Sequence, residues 1–98
     1  MFDVSSINKR YFKVIINGKE IEVEPPKIKA LRRISELAKK QSEDPVNDLY
    51  VAVSMILSKN RTGYKVPEEV IDELDTDQLN GILEAYFNWI EGITKDPN

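Results

Sequence analysis

Residues 11–26 read YFKVIINGKEIEVEPP, and this stretch decides how the chain begins to fold. Two runs rich in β-branched and aromatic residues flank Asn17-Gly18, a pair that accepts the positive φ angles of a type I′ turn. A two-residue turn fixes the register of the strands on either side of it. The predicted cross-strand pairs are Phe12 with Val23, Val14 with Ile21, and Ile16 with Lys19.

The alternation of residue types gives this hairpin one apolar face and one polar face. The apolar face carries Phe12, Val14, Ile16, Ile21 and Val23. Lys13 and three glutamates occupy the other face, where Ile15 is the exception to the pattern. An isolated two-stranded hairpin is barely stable in water, so we expect helices to pack beneath the apolar face.

Four helices are predicted after Pro25-Pro26, which stops the second strand. The helical spacing of apolar residues and residues suited to helix N-termini mark their positions. The predicted ranges are 27–40, 45–59, a short helix that begins at 66–69, and 77–93. The fold class predicted is α+β, with an N-terminal β-hairpin followed by about four α-helices and dominated by helix. We expect residues 11–98 to form one domain, preceded by a flexible N-terminal arm, residues 1–10.

The composition excludes several kinds of active site. The chain has 98 residues, with no histidine and no cysteine. It therefore lacks a histidine-assisted nucleophile, a disulfide and the preferred ligands of zinc. The acid-rich run over residues 68–77 has no glycine and a helical pattern, which is typical of helix N-termini rather than of a calcium loop. We expect a protein that is not an enzyme and that uses no metal or cofactor.

The sequence also bears on localisation. Residues 1–10 lack the apolar stretch of a signal peptide. No apolar run approaches the length of a membrane-spanning helix. These features favour a cytoplasmic protein with no membrane partner.

Charge is distributed unevenly along the chain, although the net charge is only −3. In residues 27–40, six basic residues against Glu36 give a net charge of +5. In residues 66–98, nine acidic residues against Lys95 give a net charge of −8. Unlike surfaces of this kind can pair head to tail between subunits of a homo-oligomer. The residues assigned to this pairing are Arg32, Arg33, Lys39, Lys40, Glu73 and Asp77.

The basic helix over residues 27–40 has two further interpretations. Clustered lysine and arginine residues are the electrostatic signature of nucleic-acid binding. No aromatic residues alternate with these charges, however, and the chain as a whole is acidic. A solvated helix face is the favoured interpretation, and nucleic acid is the weaker one.

The last predicted helix carries a run of aromatic residues. Such residues usually belong to a core, but they are also enriched in protein interfaces. The apolar residues of this helix cover an arc of about 160°, with Trp89 and Phe87 at opposite margins. One neighbouring layer does not easily bury both margins, so core and interface stay open as alternatives. The predicted partner-binding residues are Tyr86, Phe87, Trp89 and Ile90, together with Met55 in the second helix.

Three segments cover most of the chain and carry a family resemblance. They are the hairpin YFKVIINGKEIEVEPP, the basic helix KIKALRRISELAKK and the closing block VPEEVIDELDTDQLNGILEAYFNWIEGI. In this order they resemble the tail assembly chaperones of long-tailed bacteriophages and related prophages. That family has no catalytic motif, so the resemblance assigns no site residues.

The resemblance implies a non-enzymatic role in tail morphogenesis. Such chaperones bind the long, hydrophobic, helical tape measure protein and keep it soluble until the tail tube polymerises around it. They commonly self-associate, which implies a homo-oligomer. Two alternatives stay open: a small nucleic-acid-binding regulator that uses residues 27–40, and a structural head–tail or tail completion subunit that is retained in the virion.

Overall fold

The order of elements is a hairpin followed by helices, in a computed structural model that describes residues 2–7, 10–39 and 41–95. Within these residues the hairpin precedes four α-helices. The helices are α1 (Ile28–Ala38), α2 (Pro45–Ser58), α3 (Glu68–Asp72) and α4 (Thr76–Lys95). The fold is therefore α+β and dominated by helix, as the sequence predicts.

The hairpin consists of strand β1 (Phe12–Ile16) and strand β2 (Lys19–Val23), which pair antiparallel. Asn17 and Gly18 form the turn with φ angles of 51° and 76°, both in the left-handed region that a type I′ turn requires. The observed pairs are Phe12 with Val23, Val14 with Ile21, and Ile16 with Lys19. The predicted register is confirmed.

Side chains just before α2 and α4 determine where these helices begin. Asp44 accepts a hydrogen bond from the Asn47 N–H at 3.0 Å, which satisfies one of the free donors in the first turn of α2. Asp75 accepts from the Gln78 N–H at 2.7 Å, and the Gln78 side chain accepts from the Asp75 N–H at 2.9 Å. This reciprocal pair is a capping box. Because these signals are local, the predicted helix ends lie within two residues of the observed ends.

The core is built around α2, which contacts α1, α4 and β2. Ala52, Val53 and Leu57 on this helix are completely buried. Strand β1 contacts α4, so the apolar face of the hairpin spans two helices. One cluster of buried side chains joins both strands and the four helices. The helices thus remove the apolar face of the hairpin from water, which stabilises a hairpin that would be barely stable alone.

A single buried asparagine holds the loop after α2. Asn60 is 7% exposed, and its amide donates hydrogen bonds to the carbonyls of Leu57 at 2.9 Å and Tyr64 at 2.6 Å. Its Oδ1 atom accepts from the Tyr64 N–H at 2.8 Å. The first of these bonds satisfies a carbonyl in the last turn of α2, which helix geometry leaves without a partner.

The same loop covers part of the outer edge of β2. The Arg61 N–H donates to the Glu22 carbonyl at 2.8 Å, and the Glu24 N–H donates to the Lys59 carbonyl at 2.9 Å. The Arg61 guanidinium also lies 3.2 Å from the Glu22 carboxylate. The backbone of β2 is thus paired on both sides near its end.

The N-terminal segment contains one 3₁₀ turn, Val4–Ser6. The Asp3 carboxylate accepts from the Ser5 N–H at 3.0 Å and caps this turn. Phe2, Val4 and Ile7 are all 60% or more exposed, so these apolar side chains do not anchor the segment to the core. The flexibility of residues 1–10 stays a prediction.

Candidate partner-binding surface

Aromatic rings from β1 and α4 form a cluster around Tyr86. The ring centroid of Tyr86 lies 5.7 Å from Phe12, 5.8 Å from Trp89 and 5.7 Å from Phe87. Phe12 and Trp89 are themselves 5.7 Å apart. The rings of Phe12 and Phe87 stand at 71° and 73° to that of Tyr86, the edge-to-face arrangement that aromatic rings favour. This cluster joins the hairpin to α4.

Tyr86 is a core residue of the single chain. It is only 1% exposed and so offers no surface to a partner. Burial raises the pKa of its phenol to about 12, because the charged phenolate would lose its solvation. Within the single chain, Tyr86 therefore belongs to the core and not to the predicted partner-binding surface.

The other four predicted contact residues, Phe87, Trp89, Ile90 and Met55, are half-buried. Each packs against the core cluster and keeps part of its surface exposed. Helix α4 contacts both α2 and β1, so two elements share its wide apolar arc. The hairpin covers the part of the arc that contains Trp89, so more than one layer packs against α4.

Five of the six residues predicted to pair between subunits lie in the described part of the chain, and all five are exposed. Arg32 and Arg33 lie on α1 and Lys39 follows it. Glu73 directly follows α3, and Asp77 lies in the first turn of α4. Across residues 10–39 and 41–95, no ion pair involves any of these five side chains. Lys40, the sixth member of the set, lies outside the described residues. Within the described residues, the structure thus leaves these five charged side chains without an ion-pair partner.

An open groove of about 420 Å³ runs between β1 and α4. Ile15, which is 71% exposed, contributes to one wall, and Gly81, Ile82 and Ala85 contribute to the other. A Cβ atom on Gly81 would meet no heavy atom within 4 Å, so α4 presents open surface there. Sequence reasoning missed this groove because it exists only once the hairpin docks on α4. One feature of the sequence does point to the groove: Ile15 is the apolar residue on the otherwise polar face of the hairpin, and it lines the groove.

The described surface also carries acidic and phenolic side chains. Among the described residues, no group of three or more acidic side chains is placed to hold a metal ion. The pKa of Tyr50 is raised, first by desolvation and then by the nearby carboxylates of Asp72 and Glu68. The raised pKa keeps the Tyr50 phenol protonated near neutral pH.

No family model, curated protein or solved structure matches the chain. In the described ranges, no helix is both long enough and apolar enough to cross a membrane.

Proposed function

We propose that the chain is a tail assembly chaperone of a bacteriophage or prophage, with no enzymatic activity. Several copies bind the tape measure protein in the cytoplasm of the host cell and keep it soluble. They are displaced as the tail tube polymerises around it. Many weak contacts suit this role better than one tight site, because the growing tube has to remove each copy.

The observation that carries this proposal is the apolar surface left over on α4. Phe87, Trp89 and Ile90 pack on the core and remain half-buried. Aromatic side chains on a rigid helix are the residue type that most often dominates protein interfaces. An amphipathic helix of the tape measure protein would bury its own apolar side chains against this surface.

Co-expression with the tape measure protein of the same phage or prophage tests the proposal. Ile90→Glu places a charge in the half-buried surface, and Asn88→Glu adds the same charge at an exposed position two residues away. We expect the wild-type chain and Asn88→Glu to keep the tape measure protein in the soluble fraction. Ile90→Glu is expected to weaken binding by at least about fivefold, because it buries an unpaired charge.

Circular dichroism of both variants shows whether each one is folded before binding is compared. The proposal is wrong if the soluble fraction of the tape measure protein is the same with and without the wild-type chain. It is also wrong if both variants bind equally well, since the half-buried surface would then play no part.

Self-association is supported by the exposed charges of Arg32, Arg33 and Glu73, which form no ion pair in the described part of the chain. Arg33→Glu reverses one charge of the basic helix, and Lys65→Glu makes the same change at an exposed residue elsewhere. Sedimentation equilibrium at low salt should show weaker association for Arg33→Glu than for Lys65→Glu. High salt should reduce the difference, because exposed charges are screened within about 10 Å at 0.1 M. Charge pairing would be contradicted if the association constant changed neither with salt concentration nor with the Arg33→Glu substitution.

One observation favours a nucleic-acid-binding regulator as the second candidate. Arg32, Arg33 and Lys39 are exposed and make no ion pair in the described part of the chain. A regulator would bind duplex DNA with an affinity that falls steeply with salt, by roughly one power of the salt concentration for each phosphate contacted. Fluorescence anisotropy with a labelled duplex measures this slope, and the chaperone proposal predicts negligible binding.

A further inference from the structure

The outer edge of β1 has unused hydrogen-bonding groups. In an antiparallel pair, residues alternate between those that bond across the pair and those whose N–H and C=O point away from it. The Glu22 carbonyl points away from the hairpin, because it accepts from Arg61. Lys13 is paired with Glu22, and Ile15 lies two residues further along β1, so both have outward-pointing backbone groups. No backbone hydrogen bond outside the hairpin reaches either residue in the described part of the chain.

The two edges of the hairpin are therefore unequal. The loop at Lys59–Arg61 covers the end of the β2 edge, while the β1 edge borders the open groove along α4. A sheet with one open edge can add a partner strand only on that side. The β1 edge is the more open of the two, because the loop covers β2 near its end. In two copies joined through β1, each uses this edge, so the contact closes as a dimer.

We propose that β1 pairs antiparallel with β1 of a second copy about a two-fold axis at Val14, which gives a four-stranded sheet. Lys13 of each copy then lies opposite Ile15 of the other. These two pairs exchange about four backbone hydrogen bonds. This dimer goes beyond the proposed chaperone function and does not require it.

The side-chain pattern of β1 is complementary to itself in this register. On the core face, Phe12 lies opposite Ile16 and Val14 opposite Val14, so the apolar face continues across the seam. On the other face, Ile15 packs on the aliphatic stem of Lys13 from the second copy. The exposed Ile15, which interrupts the polar face of the isolated hairpin, gains a partner.

The positions of the charged side chains favour a two-fold axis at Val14 over axes at the adjacent residues Lys13 and Ile15. An axis at Lys13 would set two lysines directly opposite one another, which destabilises a strand pair. An axis at Ile15 would leave Lys13 opposite Asn17 in the turn. With the axis at Val14, no like charges stand directly opposite. Each Lys13 stays beside the carboxylate of Glu20 in its own hairpin, 3.9 Å away.

Charged substitutions at residue 15 test the register. Ile15→Glu and Ile15→Lys both remove the apolar side chain, but they place opposite charges across from Lys13 of the second copy. We expect the dimer of Ile15→Glu to be at least about tenfold tighter than that of Ile15→Lys, since the change acts at two symmetric pairs. Within one chain residue 15 faces Glu20, so the monomer has the reverse preference. Weaker dimerisation of Ile15→Lys therefore cannot come from a less stable fold.

Proline substitutions test the hydrogen bonds. Ile15→Pro removes an outward N–H on the β1 edge without removing a bond inside the hairpin. Glu20→Pro is its matched control, because Glu20 is the cross-strand partner of Ile15 and its N–H points outward from the other edge. Sedimentation equilibrium should show dissociation constants raised at least about tenfold for Ile15→Pro and less than about threefold for Glu20→Pro.

A single cysteine gives a direct geometric readout, since the chain has no cysteine of its own. Val14→Cys would place two sulfurs across the axis in a non-hydrogen-bonded pair, with Cα atoms about 4.5 Å apart, close enough for a disulfide. Mild oxidation should link most of this variant into dimers and leave the exposed control Asn88→Cys largely unlinked.

Three results would overturn the dimer: a wild-type chain that stays monomeric at about 1 mM, charged variants at residue 15 with equal affinity, or a dimer unaffected by Ile15→Pro. The chaperone proposal is judged separately. A dimer through β1 in a chain that does not hold the tape measure protein overturns the chaperone function alone.

Discussion

The aromatic cluster predicts an energetic link between the hairpin and α4. The rings of Phe12 and Trp89 lie 5.7 Å apart at 33°, and both contact Tyr86. Leucine at either position keeps an apolar side chain and removes the ring contact. Because both rings are partly exposed, each single substitution should cost about 1–2 kcal/mol of unfolding free energy, less than a fully buried ring. The two residues should couple by about 0.5–1.5 kcal/mol.

A double-mutant cycle measures this coupling from urea unfolding of the wild-type chain, Phe12→Leu, Trp89→Leu and the double variant. Far-UV circular dichroism is the suitable signal, because Trp89 is the sole tryptophan and its fluorescence disappears in two of the four proteins. A small domain has about 5–15 kcal/mol of stability, so the double variant should retain a folded baseline.

The matched control is the cycle of Phe12→Leu with Phe87→Leu. Phe87 lies on the same helix and contacts Tyr86, but among the described rings it makes no contact with Phe12. Its coupling to Phe12 should fall below about 0.5 kcal/mol. Equal coupling in both cycles, or strict additivity for Phe12 and Trp89, would refute the reasoning that this ring contact ties the hairpin to α4.

Three further predictions concern stability. Burial raises the pKa of the folded Tyr86 phenol to about 12, while the unfolded phenol ionises near pH 10. Between pH 10 and pH 12 this difference should lower the unfolding free energy by about 2 kcal/mol, and alkaline urea titrations of Tyr86→Phe should lack that share of the pH dependence. Asn60→Ala should lower the unfolding free energy measured in urea by about 1–3 kcal/mol, because it leaves the Leu57 carbonyl without its hydrogen-bond donor. Asn60→Asp retains a side-chain oxygen that accepts a hydrogen bond but has no amide N–H to donate, so it should not recover this stability. Gly18→Ala should destabilise the fold by about 1 kcal/mol because Gly18 has a φ of 76°, whereas Gly92→Ala in α4 should be neutral or stabilising, and equal thermal midpoints for these two variants would contradict the turn assignment.

The hairpin and the helix positions follow from local signals in the sequence. Asn17-Gly18 sets both the turn and the register, because a two-residue loop leaves no freedom in pairing. Asp44-Pro45 marks the start of α2 through a cap that spans only three residues. Such features depend on neighbours in the sequence, so they can be read before any packing is known.

The surfaces depend on contacts between distant segments and were harder to predict. Ile28 and Val46 fit the apolar stripes of their helices, yet they are 64% and 60% exposed, since both lie in a first turn. Tyr86 and Trp89 share one helix and one aromatic run, but only docking of Phe12 decides that the first is buried and the second half-buried. The pairing of Arg61 with Glu22 joins residues far apart in the chain, and no periodicity marks it.

The emission of Trp89 provides the most direct test of partner binding through α4, because it is the chain's single tryptophan and is half-buried. A tape measure segment that contains no tryptophan is titrated into the chain while emission wavelength and acrylamide quenching are recorded. If the segment covers α4, the emission shifts to shorter wavelength and quenching falls, since the ring leaves water. Unchanged emission and quenching at saturating segment would contradict the proposed use of this surface.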